Sequence, residues 1–393
     1  MNTPSFSPRV SLISTLTMIM SASTFFGYAF GVLGPQLIKE FSLTHTELGL
    51  ATTLFFLVGG LGSVWGGRLV DSLGAKRVAI GSLLVSSLCI FAMSVAHSFY
   101  LFVFFSALGG ILLATGNPIT NKVIVESIHP KYQGTVTGLK QSGVQIGAVL
   151  AGVVLASAIT SWGWRIAFAS MAAFPLFGLI LTQIFLKPDQ LRIKVIGLEG
   201  NHKIPRVVYQ LAIYGFFMGA GISSINAYLP LYLIEKLSFS LLNAGAVVSL
   251  LGAVGVAARI YWGWMSGLHD KSRATLLSMS VASSLAMFLI VYADSLGNWA
   301  IWLAVVLLGT TAVAWNSVGM LFIVAQIRSE NIGKATGIVL FGFYVGFSSS
   351  PLLFGLIVDH TNSFSTAWVF VSVLFAMASY AFFKDSSHKQ PID

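Results

Sequence analysis

Cysteine is almost absent. Cys89 is the only one in 393 residues. An intrachain disulfide is therefore excluded, and no thiolate cluster can hold a metal. Charge is scarce too: Asp, Glu, Lys and Arg make up 9% of the chain, against about 25% in a soluble domain. Histidine is missing from every long apolar run. His45, His97, His129, His202, His269, His360 and His388 all fall in or beside loops. With no metal-ligand cluster, nucleophile–base spacing or phosphate loop, the apolar stretches lack the inventory of a membrane-embedded enzyme. No metal and no cofactor are expected.

What is abundant is apolar chain. The sequence is 56% hydrophobic, with a mean hydropathy of +0.84. Runs of roughly 20 apolar residues recur from end to end, the length a helix needs to cross the ~30 Å hydrocarbon core. A membrane β-barrel would show alternating segments of about 10 residues instead. Twelve spans are predicted: 11–34, 46–68, 77–96, 99–125, 133–159, 165–186, 206–230, 240–264, 274–293, 297–325, 333–358 and 364–383. The expected fold class is an all-α, multi-pass membrane protein, with the first span an uncleaved anchor.

The formal net charge is +9. Assigning alternate loops to the two sides gathers seventeen of the 22 Lys and Arg on one side. Lys39, Arg165 and Lys236 fall on the other, and Lys140 and Arg259 stay inside spans. The positive-inside rule then places both termini in the cytoplasm, and the expected location is the cytoplasmic (inner) membrane. The basic balance reports topology, so no nucleic-acid partner is expected.

The chain repeats at half its length. In GTVTGLKQSGVQIG (134–147) and GKATGIVLFGFYVG (333–346), glycines at 134, 138, 143 and 147 return at 333, 337, 342 and 346. The offset that relates them also takes Asn117 to Asn316. Gly67 and Gly263 pair at a similar offset, as do Pro35 and Pro230, read as the ends of the first and seventh spans. Small residues at such spacing let helices pack closely. The predicted organisation is an N-terminal six-helix bundle over 1–187, a cytoplasmic linker over 188–205 and a C-terminal six-helix bundle over 206–393.

The stretch GGRLVDSLGAKRV (66–78) resembles the cytoplasmic signature loop of the major facilitator superfamily, through Gly67, Asp71, Gly74, Lys76 and Arg77. The usual basic residue after the aspartate is here Ser72. ARIYWGWMSGLHDKSR (258–273) is a degraded second copy, with Arg259 and Asp270. The resemblance implies twelve transmembrane helices in two pseudo-symmetric six-helix bundles. It also implies that these loop residues latch or gate the cytoplasmic side, and that substrate binds between the halves, where the first, fourth, seventh and tenth spans line a cavity. Two features of the drug–proton antiporter branch are missing. Ser106 stands where that branch carries an arginine, and the first span has no acid.

A charged residue inside the bilayer costs about 2.5–3.5 kcal/mol on insertion scales and points to function. Lys140 shares a helix face with Gly143 and Gly147, with Gln141 beside it, which turns it toward protein. Its repeat mate is Val339, so the glycine scaffold is duplicated and the charge is not. Snorkelling to the interface is the competing reading. Asn117 and Asn121 lie one turn apart on the fourth span, near Pro118. Lys122 is read as pairing with Glu126 at i+4. Further candidate substrate-binding residues are Asn316, Tyr28, Asn226, Trp315, Tyr344, Phe25 and Ser223.

One lysine among amides, with no buried carboxylate, favours an anion. The expected function is a secondary active or facilitative transporter of a small anion such as a monocarboxylate, working by alternating access as a monomer in the bilayer. KQSG is similar to a stretch in bacterial cyanate-permease-like members of the superfamily. Protons or a counter-transported solute are the candidate coupling partners. A proton-driven drug or metabolite exporter is the alternative within the superfamily, and a non-transporting sensor lies outside transport.

Overall fold

Apolar periodicity and the scarcity of charge leave the backbone one way to satisfy its polar groups in lipid, which is to close them within helices. The computed structural model describes residues 10–188, 204–268, 272–327 and 332–383. The first half holds α1 (Val10–Phe41), α2 (His45–Leu73), α3 (Ala75–Ser94), α4 (Phe99–Ser127), α5 (Pro130–Val149), a π-helical turn (Leu150–Leu155), α6 (Ala156–Ser170) and α7 (Ala173–Phe185). The second holds α8 (Arg206–Glu235), α9 (Leu241–Leu268), α10 (Ser272–Val291), α11 (Ala293–Leu296), α12 (Trp299–Thr310), α13 (Trp315–Gln326), α14 (Ile332–Thr361) and α15 (Phe364–Phe383).

Among the described residues, eleven stretches are long and apolar enough to cross a membrane. One of them, Tyr132–Phe185, has 54 residues. At 1.5 Å per residue that is far more than one crossing of a ~30 Å core. Gly163 breaks it with φ 75°, a backbone conformation glycine adopts without penalty. The helices therefore follow the twelve expected spans. Two details differ. Pro35 and Pro230 do not end their spans, because α1 and α8 run on to Phe41 and Glu235 with the prolines inside. The tenth span is broken between α12 and α13. Residues 189–203 of the expected linker, and Asp270 and Lys271, lie outside the described residues.

The glycine repeat becomes packing. A Cβ on Gly143 or Gly147 of α5 would meet the carbonyls of Thr17 or Ser21 on α1. A Cβ on Gly342 or Gly346 of α14 would meet those of Ala212 or Phe216 on α8. Thr17 and Ser21 stand to Ala212 and Phe216 as Pro35 stands to Pro230, at a single offset. The same helix pair is thus built twice. The outer glycines of the repeat behave otherwise: a Cβ on Gly134, Gly138 or Gly337 would meet nothing within 4 Å.

On the face that carries most of the basic residues, Lys76, Lys122 and Arg273 cap helix ends. Lys76 donates to the Gln183 carbonyl near the end of α7 (2.8 Å), and Arg273 to the Phe382 carbonyl near the end of α15 (2.8 Å). Lys122 donates to the Val70 carbonyl in the last turn of α2 (3.0 Å). Its expected pairing with Glu126 does not form, because α2 offers a helix C-terminus, where a cation is favoured.

The opposite face joins the halves. Gly31 packs on the Asn226 carbonyl, Gly49 on the Pro351 carbonyl, and Gly152 and Gly245 on each other's carbonyls. The Asp359 carboxylate of α14 accepts backbone N–H bonds from His45 (3.1 Å) and Thr46 (2.8 Å) at the start of α2. A helix N-terminus favours an anion there. The His45 ring lies 2.8 Å from Asp359 and 3.3 Å from Glu235. The Tyr228 hydroxyl donates to the His45 carbonyl at 2.7 Å.

Gly152→Val would drive a side chain into the Gly245 carbonyl and prise α9 away. In a Cys89→Ser background carrying Ala227→Cys, maleimide labelling of that buried cysteine is expected to rise several-fold. An unchanged rate would show that the glycine seam does not hold this face shut.

Candidate functional site

Lys140 stands on the α5 face that the glycines press against α1, so its side chain has nowhere to go but inward. It is 0% exposed. Its ammonium donates to Thr120 Oγ1 (2.7 Å), Asn121 Oδ1 (2.7 Å) and Asn117 Oδ1 (3.2 Å), all on α4. The snorkelling reading is therefore excluded in this conformation. Among the described residues no carboxylate pairs with it. Asn117 and Asn121 are brought together as expected. Thr120, three residues beyond Asn117 on the same helix, was the member of this cluster that sequence reasoning missed. Its i+3 spacing was the available signal.

The cluster extends across the seam between the halves. Gln141 Nε2 donates to Asn117 Oδ1 at 3.1 Å. Tyr344 of α14 brings its hydroxyl beside the Asn117 amide. Tyr28 of α1 donates to Gln145 Oε1 at 3.4 Å. Arg259 of α9 donates from Nη1 to the Gln141 carbonyl (3.3 Å) and from Nε to the Val313 carbonyl (3.2 Å), and it lies within electrostatic reach of Tyr28. Arg259 was expected with the signature loop. The structure brings it instead onto α5 at the level of Lys140, where it bonds the carbonyl of the next residue, Gln141.

Other candidates fall elsewhere. Trp315 is enclosed in the second half, its ring packed on Tyr214 (5.5 Å between centroids) and Phe343 (5.9 Å), so it fills the core. Phe25 packs against Phe174, and the Ser223 hydroxyl bonds back to the Ala220 carbonyl. Asn226 is buried on α8 where its backbone meets Gly31, near the closed face. Asn316 is informative for a different reason. Its Oδ1 is buried and has no hydrogen-bond partner. Its repeat mate Asn117 spends the same oxygen on Lys140, whereas the mate of Lys140 is the fully buried Val339. The second half has the amide without the donor.

Within the signature loop, Gly74 has a local cause: φ 90° lets it end α2 and begin α3, with its N–H bonded to the Val70 carbonyl at 3.0 Å. Asp71 and Arg77 are exposed, a Cβ on Gly67 would meet open space, and Lys76 caps α7. Among the described residues no basic side chain forms an ion pair with Asp71. Asp270 lies outside them.

A buried ammonium answered only by neutral oxygens has given up its hydration without a counter-ion. Lys140→Met, of similar volume, is therefore expected to leave the melting temperature of the ligand-free protein unchanged or raised. A fall of several degrees would mean that Lys140 serves stability.

The comparisons with known proteins agree with this architecture. The family model described as Major Facilitator Superfamily matches residues 15–331. The chain is 24% identical to a probable galactarate/D-glucarate transporter of Escherichia coli, covering 94% of each. It is 25% identical to a probable nitrate/nitrite transporter of Mycobacterium tuberculosis, covering 90% of this chain and 91% of that one. Among solved structures, a D-xylose–proton symporter superimposes with a TM-score of 0.80 at 16% identity, over 96% of this chain and 98% of that chain. The paired six-helix bundles, the duplicated glycine packing and the extent of the family match make the chain a member of the Major Facilitator Superfamily.

Proposed function

We propose that this member of the superfamily carries a small anion, bound midway through the membrane between the halves. The observation that carries the reading is the Lys140 ammonium, fully buried with three neutral oxygens and, among the described residues, no carboxylate partner. Arg259 adds a second positive charge from the other half. Two cations in a low-dielectric site attract an anion strongly and repel organic cations. The named solutes of the two relatives, galactarate, D-glucarate, nitrate and nitrite, are all anions. Asn117, Asn121, Gln141, Tyr28 and Tyr344 orient the anion around these charges.

The proposed arrangement has both termini and the linker in the cytoplasm of an inner-membrane protein, with bundles over 1–187 and 206–393 working as a monomer. The sealed glycine face then looks outward, and the site faces the basic, cytoplasmic side. Transport rocks the halves about the site. Gly67, Asp71, Gly74, Lys76, Arg77 and Asp270 act as a latch in the opposite conformation, when their face closes, which accords with Asp71 forming no ion pair among the described residues here. The anion moves with protons or in exchange for a second solute.

The test is counterflow in proteoliposomes with labelled acetate, D-glucarate, galactarate and nitrate, and with choline and glucose as cationic and neutral controls. At least one anion is expected to accumulate against its own unlabelled pool, and neither control should. Lys140→Gln and Arg259→Gln should each weaken apparent affinity by about tenfold or more, because each removes a unit positive charge from a low-dielectric site. Choline accumulation, or wild-type affinity in both variants, would overturn the anion reading.

A further inference from the structure

Lys140 supplies the charge, yet its ammonium has no bond left to give. A lysine ammonium carries three N–H donors and no acceptor. Here Thr120, Asn121 and Asn117 accept one each, and the side chain is 0% exposed. No anion reaches the nitrogen without breaking that shell.

The shell has a direction. Because the ammonium only donates, the amide atom facing it in Asn117 and in Asn121 must be the oxygen. With Lys140 protonated, chemistry removes the usual ambiguity between amide oxygen and nitrogen. The NH₂ end of each amide is therefore turned away from Lys140. Asn117 is held twice over, since its oxygen also accepts from Gln141 at 3.1 Å. Asn121 is exposed although the lysine it holds is not, and Asn117 is half-buried, with the Tyr344 hydroxyl of the other half beside it. Charge next to the oxygen polarises the amide and strengthens its N–H groups as donors.

We infer that the amide N–H groups of Asn117 and Asn121, and not the ammonium of Lys140, contact the transported anion in this conformation. The inference rests on the anion-carrier reading above. Lys140 is then a positioning residue. It locks both amides with their donors outward and passes its charge through their dipoles. The two asparagines are four residues apart on α4, so their Cβ atoms lie about 5–6 Å from each other. Donors on two adjacent turns of one helix face suit one oxyanion with two acceptor oxygens, a carboxylate or nitrate, bridging both amides. The lock is prepared before binding, so little ordering remains to be done when the anion arrives.

The test reads the three nitrogens directly. The full chain, ¹⁵N-labelled at asparagine and lysine in nanodiscs, is titrated with acetate, D-glucarate, galactarate and nitrate. Resonances are assigned with Asn117→Ser, Asn121→Ser and Lys140→Met. For an anion that binds, the Asn117 and Asn121 side-chain amide signals should shift together and saturate, while the Lys140 ammonium signal stays in place. Asn121→Asp, which keeps an oxygen on Lys140 but removes the donor and cancels the charge, should weaken binding at least about tenfold more than Asn121→Ala. If an anion binds and the ammonium signal moves while the amides are silent, the inference fails and the carrier reading survives. If none of the four anions binds, both fail.

Discussion

An ammonium group buried in a membrane has to be answered, and here three neutral oxygens of one helix answer it. That arrangement constrains the rest of the centre. Thr120, Asn117 and Asn121 must present oxygen to Lys140, so α4 and α5 are fixed in rotation against each other. Gly143 and Gly147 bring α5 onto the α1 backbone, which removes any outward path for the lysine. The charge is left uncompensated inside the protein, beside a seam that Arg259 crosses from the other half. An electrostatic vacancy at the meeting point of two moving bodies is what a carrier for negative solutes requires.

The two halves show what duplication keeps and what it discards. Glycines of α5 and α14 sit on equivalent carbonyls of α1 and α8, so the close packing is common property. At the lysine the halves part company. Val339 fills the equivalent position as a buried apolar side chain, and the oxygen of Asn316 is left without a donor. A buried acceptor without a partner costs free energy comparable to a lost hydrogen bond. The second half carries that cost where the first half carries its charge.

Much of this was legible in the chain because it rests on local rules. Span length, glycine spacing and the lone Lys140 are properties of single helices, and the wheel placed the lysine inward. What escaped depends on which helix ends meet. Lys122 took the carbonyl of Val70 instead of its i+4 carboxylate, since the end of α2 lies beside it. Arg259 reads from its loop context as part of a gate, and only the packing of α9 on α5 brings it to the level of Lys140. Trp315 looked like a ligand-facing aromatic and proved to be core, because Tyr214 and Phe343 enclose it. The clasp of His45 and Thr46 on Asp359 joins residues more than 300 positions apart, and no periodicity announces it.

The π-helical turn at Leu150–Leu155 bears on how such a machine moves. It follows the lysine-bearing end of the fifth span and contains Gly152, where the span packs on Gly245 of α9. In a rod of uniform pitch, twisting one end would swing the other through the same angle. A wider turn with looser hydrogen bonding breaks that gearing. The glycine contact with α9 thus falls at a change of pitch, on the same continuous span that carries Lys140, so the contact and the charge need not keep one angular relation.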